Sequence, residues 1–134
     1  MQLLDHVSIT VRDLTRARLF YRAVMAALGA REVYDEPHAI GFGERNSGAD
    51  DAHSYLSVFE SPEAQPDERR HVCFRTASRA QVRACFEAGL RAGGTGDGAP
   101  GVRPSYHASY YAAFLHDLEG NRIEVVCHRS EDSA

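Results

Sequence analysis

Two stretches of this chain can be laid over one another, and no other feature limits its fold as much. HVCFRTASRAQVRACFEAGLRAGG, starting at His71, overlays HVSITVRDLTRARLFYRAVMAALG, starting at His6, at a shift of 65 residues. Val72 then matches Val7, Phe74 matches Ile9, Phe86 matches Tyr21, Leu90 matches Met25 and Gly94 matches Gly29. A strand, a helix and a terminating glycine that recur in the same order are the mark of a duplicated unit, and a duplicated unit fixes architecture before any single element is assigned.

Within the first copy, residues 4–11 alternate, with Val7, Ile9 and Val11 on one side and His6, Ser8 and Thr10 on the other, the period of a half-buried strand. Leu19, Phe20, Val24 and Leu28 then recur at helical spacing, Asp13 or Thr15 is placed to cap the start, and Gly29 to end the helix in a left-handed conformation. REVYD, AIGFGE and SYLSVFE read as three further strands, separated by a turn at Glu36-Pro37 and a polar loop over 46–51. The second copy ends in YYAAFLHDLEGNRIEVVCH, two alternating strands around the turn HDLEGN. Before them, GGTGDGAPGVRPSYHAS reads mainly as a long loop.

The expectation is an α+β chain forming one domain over 1–134: module one over 1–60, a Pro-containing charged linker over 61–69, module two over 70–128 and a tail over 129–134. Each module has the order βαβββ. The two face one another across an open cup of mixed β-sheet, with the helices on the outer face. In that arrangement Val7, Ile9, Leu56, Val58, Val72, Phe74, Ile123 and Val125 bury against the helices. The opposite face carries His6, Ser8, Thr10, Tyr55, Ser57, Phe59, His71, Cys73, Arg75, Glu124 and Val126, with Tyr110, Ala112 and Phe114 if Phe114 lies across from Glu124.

On that second face, His6 and His71 are repeat mates, and Glu124 joins them from the last strand. Two imidazoles and one carboxylate with open positions are a ligand set of catalytic sites for iron, manganese, zinc or nickel, and one divalent ion is the expected cofactor. The repeat places Ser57 where a symmetric fourth ligand would stand.

Composition narrows the chemistry further. The net charge of -4 offers little to a phosphate backbone, so nucleic acid is not an expected partner. All 15 basic side chains are arginine, which excludes Schiff-base chemistry and the lysine of a P-loop. Cys73, Cys85 and Cys127 have no CxxC spacing and fit a reducing cytoplasm. No run is apolar for long enough to cross a bilayer, so no membrane association is expected.

The paired HVSITVRDLTRARLFY and HVCF segments, with AFLHDLEGNRIEVVCH and its Asp117, Gly120, Asn121 and Glu124, resemble the vicinal oxygen chelate superfamily of glyoxalase I, extradiol dioxygenases, fosfomycin-resistance enzymes and bleomycin-binding proteins. The resemblance implies a glyoxalase-like fold and a homodimer. It also implies a metal held by His6, His71 and Glu124 that chelates two adjacent oxygens of a small-molecule substrate, for lyase, isomerase or dioxygenase chemistry. Ser57 departs from glyoxalase I, which typically has a fourth protein ligand there, and this argues against that activity. His107 and Tyr110 are candidates for proton transfer. Tyr106, Tyr111, Arg75, Ser57 and Phe114 are candidates for substrate contact. The alternative is a binding protein that sequesters an antibiotic or aromatic ligand without chemistry, as bleomycin-binding relatives do.

Overall fold

The computed structural model describes residues 1–67 and 69–131; Glu68 of the expected linker and 132–134 of the expected tail lie outside the described residues. The chain runs β1 (His6–Val11), α1 (Leu14–Leu28), β2 (Glu32–Glu36), β3 (Ala39–Gly43), β4 (Tyr55–Glu60), β5 (His71–Arg75), α2 (Arg79–Arg91), β6 (Thr95–Val102), β7 (Tyr111–His116) and β8 (Arg122–Cys127). Two four-stranded mixed sheets result, in the orders β1-β4-β3-β2 and β5-β8-β7-β6. In each, the first strand of the module pairs parallel with its last. This is the expected pair of βαβββ modules.

Local chemistry sets the element ends. The Asp13 carboxylate accepts from the Arg16 N–H at 3.2 Å and caps α1, and Gly29 ends the helix at φ 80°. Ser78 caps α2 by accepting from the Gln81 N–H. Both helices begin at the 65-residue shift, but α2 is two residues shorter, with 13 against 15. The left-handed glycine of the second copy is therefore Gly93 at φ 98°, not Gly94 as the overlay implies. Gly94 serves close approach instead: a Cβ there would lie 2.4 Å from the Phe20 ring and 2.8 Å from the His116 carbonyl.

The long glycine-rich loop expected before the final hairpin is in large part the strand β6. It pairs antiparallel with β7 through two register shifts, one on each side of Gly98. A strand of TGDGAPGV has no apolar alternation to announce it, and as the sheet's last strand it tolerates Pro100 and irregular pairing. Gly98, at φ 152°, leaves room for the Phe114 ring, which a Cβ would approach to 3.1 Å.

One core joins the modules. Ile9, Val11, Phe20, Tyr21, Val24, Ile40, Leu56 and Val58 of the first pack with Leu115 and Ile123 of the second, and Val7, Val72 and Phe74 border the cluster. The helices meet directly: the Cys85 thiol points at the Val24 carbonyl, the Gln81 amide donates to the Leu28 carbonyl, and the absent side chain of Gly89 admits Phe20 and Leu115. Among the described residues no helix is long and apolar enough to cross a membrane.

The turn between β7 and β8 is the polar tie between the two halves. Buried Asp117 accepts from the Tyr21 hydroxyl at 2.7 Å, from the Asn121 side chain at 2.8 Å, and from the Glu119 and Asn121 N–H groups at 2.9 Å each. Burial and the Asp117 charge hold the Tyr21 phenol well above its ordinary pKa, so it stays a donor. Asn121 also donates to the Thr10 carbonyl, and the Glu119 carboxylate accepts from the Arg12 and Asp13 N–H groups at the mouth of α1. Replacing Asp117 with alanine leaves buried donors unpaired. We expect Asp117→Ala to lower unfolding stability by roughly 2–4 kcal/mol in a urea titration; a loss within experimental error would show that the tie is dispensable.

Candidate functional site

The face of each sheet turned away from the helices carries the chemistry-bearing residues, and the two faces differ. On module two, β5 presents His71, Cys73 and Arg75, and its parallel register sets Cys73 beside Glu124. The β7–β8 register places Phe114 opposite Glu124, as the alternation requires. His71 Nε2 lies 3.0 Å from Glu124 Oε1, and the Tyr110 hydroxyl donates to Glu124 Oε2 at 2.5 Å. Glu124 is only 4% exposed, and both of its carboxylate oxygens have a partner in the structure.

The surroundings tune this group. Crowding by protein atoms and the Glu124 charge raise the Cys73 thiol to about 12, although the residue keeps an exposed edge. Cys73 therefore has none of the electropositive setting that makes a thiolate nucleophile. Tyr110 is likewise pushed up, first by burial and then by its bond to Glu124. The Phe114 ring lies 6.2 Å from the His71 ring, with the Arg122 guanidinium over it at 4.4 Å; Arg122 is itself paired with Asp97 at 2.8 Å. Arg75 is exposed on the same face as His71 and, among the described residues, has no carboxylate partner.

Tyr106, His107 and Tyr110 gather at one edge of this group. The Tyr106 and Tyr110 rings are 4.8 Å apart, and His107 meets Tyr110 edge-on at 5.4 Å. His107 Nε2 lies 2.9 Å from His128 Nδ1, and His128 also packs edge-on against Tyr110. His128 thus belongs to this cluster, a position that no spacing in the chain signals. Tyr111 does not belong: alternation along β7 turns it to the helix side, beneath Arg79 and Arg83 and against the cluster of Val82 and Cys85. His38, His53 and His116 each have carboxylate partners, Glu60, Asp50 with Glu44, and Asp97, all apart from this group.

On module one, His6 Nδ1 lies 2.6 Å from Asp5 Oδ2, and its ring stacks on Tyr55 at 4.9 Å. Bonds to His6 and Asn46 hold the Asp5 carboxyl below its ordinary pKa. A carboxylate on Nδ1 selects the tautomer that leaves Nε2 as a lone-pair donor. Ser57 is buried, and its hydroxyl is taken by the Tyr34 hydroxyl at 2.6 Å. The Tyr34 ring reaches it by lying across Gly41, where a Cβ would come within 2.3 Å of the ring. Arg45 stacks over Tyr34 at 4.6 Å and Tyr55 at 5.6 Å. Sequence reasoning missed Asp5, Tyr34 and Arg45; the one signal available was Gly41 in a strand, a mark of close approach.

Within one chain, the structure brings His71 and Glu124 together but leaves His6 on the other module's face. Among the described residues, no group of three or more histidine, cysteine, aspartate or glutamate side chains converges to hold a metal ion. The His71–Glu124 pair nonetheless fits a cation: a buried carboxylate oxygen and an imidazole nitrogen face one another, and the other carboxylate oxygen is already satisfied.

Residues 3–125 match the family model described as Glyoxalase/Bleomycin resistance protein/Dioxygenase superfamily. Comparison with curated proteins gives no match. Among solved structures, a glyoxalase/bleomycin resistance protein from Albidiferax ferrireducens superposes with a TM-score of 0.79 at 25% identity, over 92% of this chain and 98% of that one. A glyoxalase/bleomycin resistance protein/dioxygenase family enzyme from Burkholderia phytofirmans gives 0.68 at 20% identity, over 93% and 98%. The fosfomycin resistance protein FosX from Listeria monocytogenes gives 0.67 at 17%, over 100% and 99%. The module order, the parallel first-to-last pairing and the DLEGNRIE turn agree with that match, and the chain belongs to the glyoxalase/bleomycin resistance/dioxygenase superfamily, the vicinal oxygen chelate group.

Proposed function

We propose that this protein is a metal-dependent enzyme that acts on a small oxygenated molecule, with the metal held by His71 and Glu124 of one chain and His6 of a second copy. The observation that carries the reading is the buried Glu124 carboxylate, with Oε1 turned to His71 Nε2 and Oε2 occupied by Tyr110. The separation of His6 from that pair within the chain motivates the homodimer, because module one of a second copy is the available source of the missing imidazole.

When bound, a divalent ion supplies Lewis acidity, stabilising negative charge that develops on substrate oxygens. The chain's own residues do the rest. Tyr110, by donating to Oε2, makes Oε1 the ligand oxygen and keeps the carboxylate from rotating. Asp5 fixes the His6 ring so that Nε2 faces outward. Phe114 provides an apolar wall beside His71, and Tyr106 and His107 line the approach to Tyr110. The bonded His107–His128 pair is the group best placed to move a proton at the edge of the site.

A binding protein without chemistry is the second reading, favoured by the stacked His6 and Tyr55 rings and by Arg45 over Tyr34 and Tyr55 on module one. Chelator separates the two: turnover that chelator abolishes supports the enzyme, and ligand binding that chelator leaves unchanged supports the binder.

Three measurements test the metal site. Elemental analysis of the purified dimer should find one ion per chain, and His6→Ala, His71→Ala and Glu124→Ala should each remove it. Heterodimers of His6→Ala and Glu124→Ala chains should regain one intact site per dimer, whereas either variant alone has none; heterodimers with no metal would contradict assembly across two chains. Tyr110→Phe should weaken metal binding by about 10–100-fold in a calorimetric titration, and an unchanged affinity would show that Tyr110 does not position the ligand.

A further inference from the structure

Arg45 has the features of an anion-docking group built into module one. Its guanidinium lies over two tyrosine rings, Tyr34 and Tyr55, and is exposed. Among the described residues it has no carboxylate partner. Its sequence neighbour Glu44 is turned elsewhere, held by Arg31 at 3.4 Å and His53 at 2.9 Å. Arg18, Arg22 and Arg31 of the same module are each paired with aspartate or glutamate.

The residues around it are held in place. Asn46, the next residue, donates to Asp5 Oδ1 at 2.5 Å and to the His53 carbonyl at 2.9 Å, and it accepts from the His53 N–H at 2.8 Å. The Glu44 N–H donates to the Ser54 carbonyl. Beneath the guanidinium, Tyr34 is pinned by its bond to Ser57 and by the space over Gly41. Tyr55, the second ring, is also the one that stacks on His6 and is its partner across the β1–β4 pairing. Arg45 therefore stands one ring away from His6.

A guanidinium held over rings by cation–π attraction keeps its N–H donors, which can bind two oxygens at once. A cation held by rings rather than by a carboxylate keeps its charge for a ligand. We infer that Arg45, stacked on Tyr34 and Tyr55, binds the oxyanion end of the substrate, a carboxylate or a phosphonate, beside the His6 imidazole. The placement of that oxyanion as part of a substrate rests on the metal reading; the binding of the oxyanion itself does not.

The test is a calorimetric titration of the chelator-treated protein with lactate and, separately, with methylphosphonate, repeated on Arg45→Gln, Arg45→Lys and, as a charge control at the exposed end of α2, Arg91→Gln. The wild type should bind at least one of the two oxyanions. Arg45→Gln should weaken that binding by roughly 10-fold or more, equivalent to about 1.4 kcal/mol, with Arg45→Lys intermediate and Arg91→Gln close to wild type. Tighter binding of methylphosphonate assigns the phosphonate class, and tighter binding of lactate the carboxylate class. Circular dichroism melting confirms that the variants stay folded. The inference is overturned if neither oxyanion binds the wild type, if Arg45→Gln binds as the wild type does, or if Arg91→Gln weakens binding as much as Arg45→Gln. Because these titrations use metal-free protein, failure of the metal assignment would leave their outcome interpretable.

Discussion

The parallel register of β5 on β8 determines what the second module can do. It sets Cys73 beside Glu124 and lets His71, one pleat away, reach the buried carboxylate. A slip by one residue would send Glu124 into the core among Ile123 and Val125 and turn the imidazole away from it. That register is held by the apolar residues between the functional ones: Ile123 and Val125 are fully buried, and Val72 and Phe74 border the same core. The hydrophobic face thus positions the polar one without touching it.

Duplication gave the chain two similar sheets, which have since taken on unequal work. Module two keeps an imidazole, a carboxylate and a clamping tyrosine. Module one keeps the repeat-mate imidazole, but at the place of the carboxylate it has Ser57, sealed under Tyr34 and out of contact with solvent. What module one adds in return is a guanidinium, Arg45, over the Tyr34 and Tyr55 rings, with His6 stacked on Tyr55. A cup assembled from one face of each kind would combine a Lewis-acidic end with a cationic, aromatic end, which suits a small molecule bearing oxygens at both.

Much of the fold was legible in the sequence because its causes are local or periodic. The 65-residue shift, the alternation of β1, β4, β5 and β8, the Asp13 cap and the Gly29 terminus each rest on a few adjacent residues. β6 was illegible because edge pairing, not side-chain pattern, makes TGDGAPGV a strand. The overlay also pairs Gly29 with Gly94, whereas Gly93 takes the left-handed turn and Gly94 serves the close approach of Phe20 and the His116 carbonyl, a tertiary contact the repeat does not carry. At the site, His71 facing Glu124 follows from alternation, as does the displacement of Tyr111 to the helix side. The contacts of His128, Asp5 and Arg45 are made by residues just beyond strand ends, where no periodicity encodes them, and that of Tyr34 crosses from β2 over β3 to Ser57, signalled only by Gly41.

The central claim is that a divalent ion is bound by one oxygen of Glu124, by His71 and by His6 of a second copy. Crystals soaked in manganese and measured for anomalous scattering test it most directly. The account predicts one strong peak per chain, within bonding distance of Glu124 Oε1 and His71 Nε2 and of His6 Nε2 from the other copy. A peak elsewhere, or none with both faces open to solvent, would contradict it.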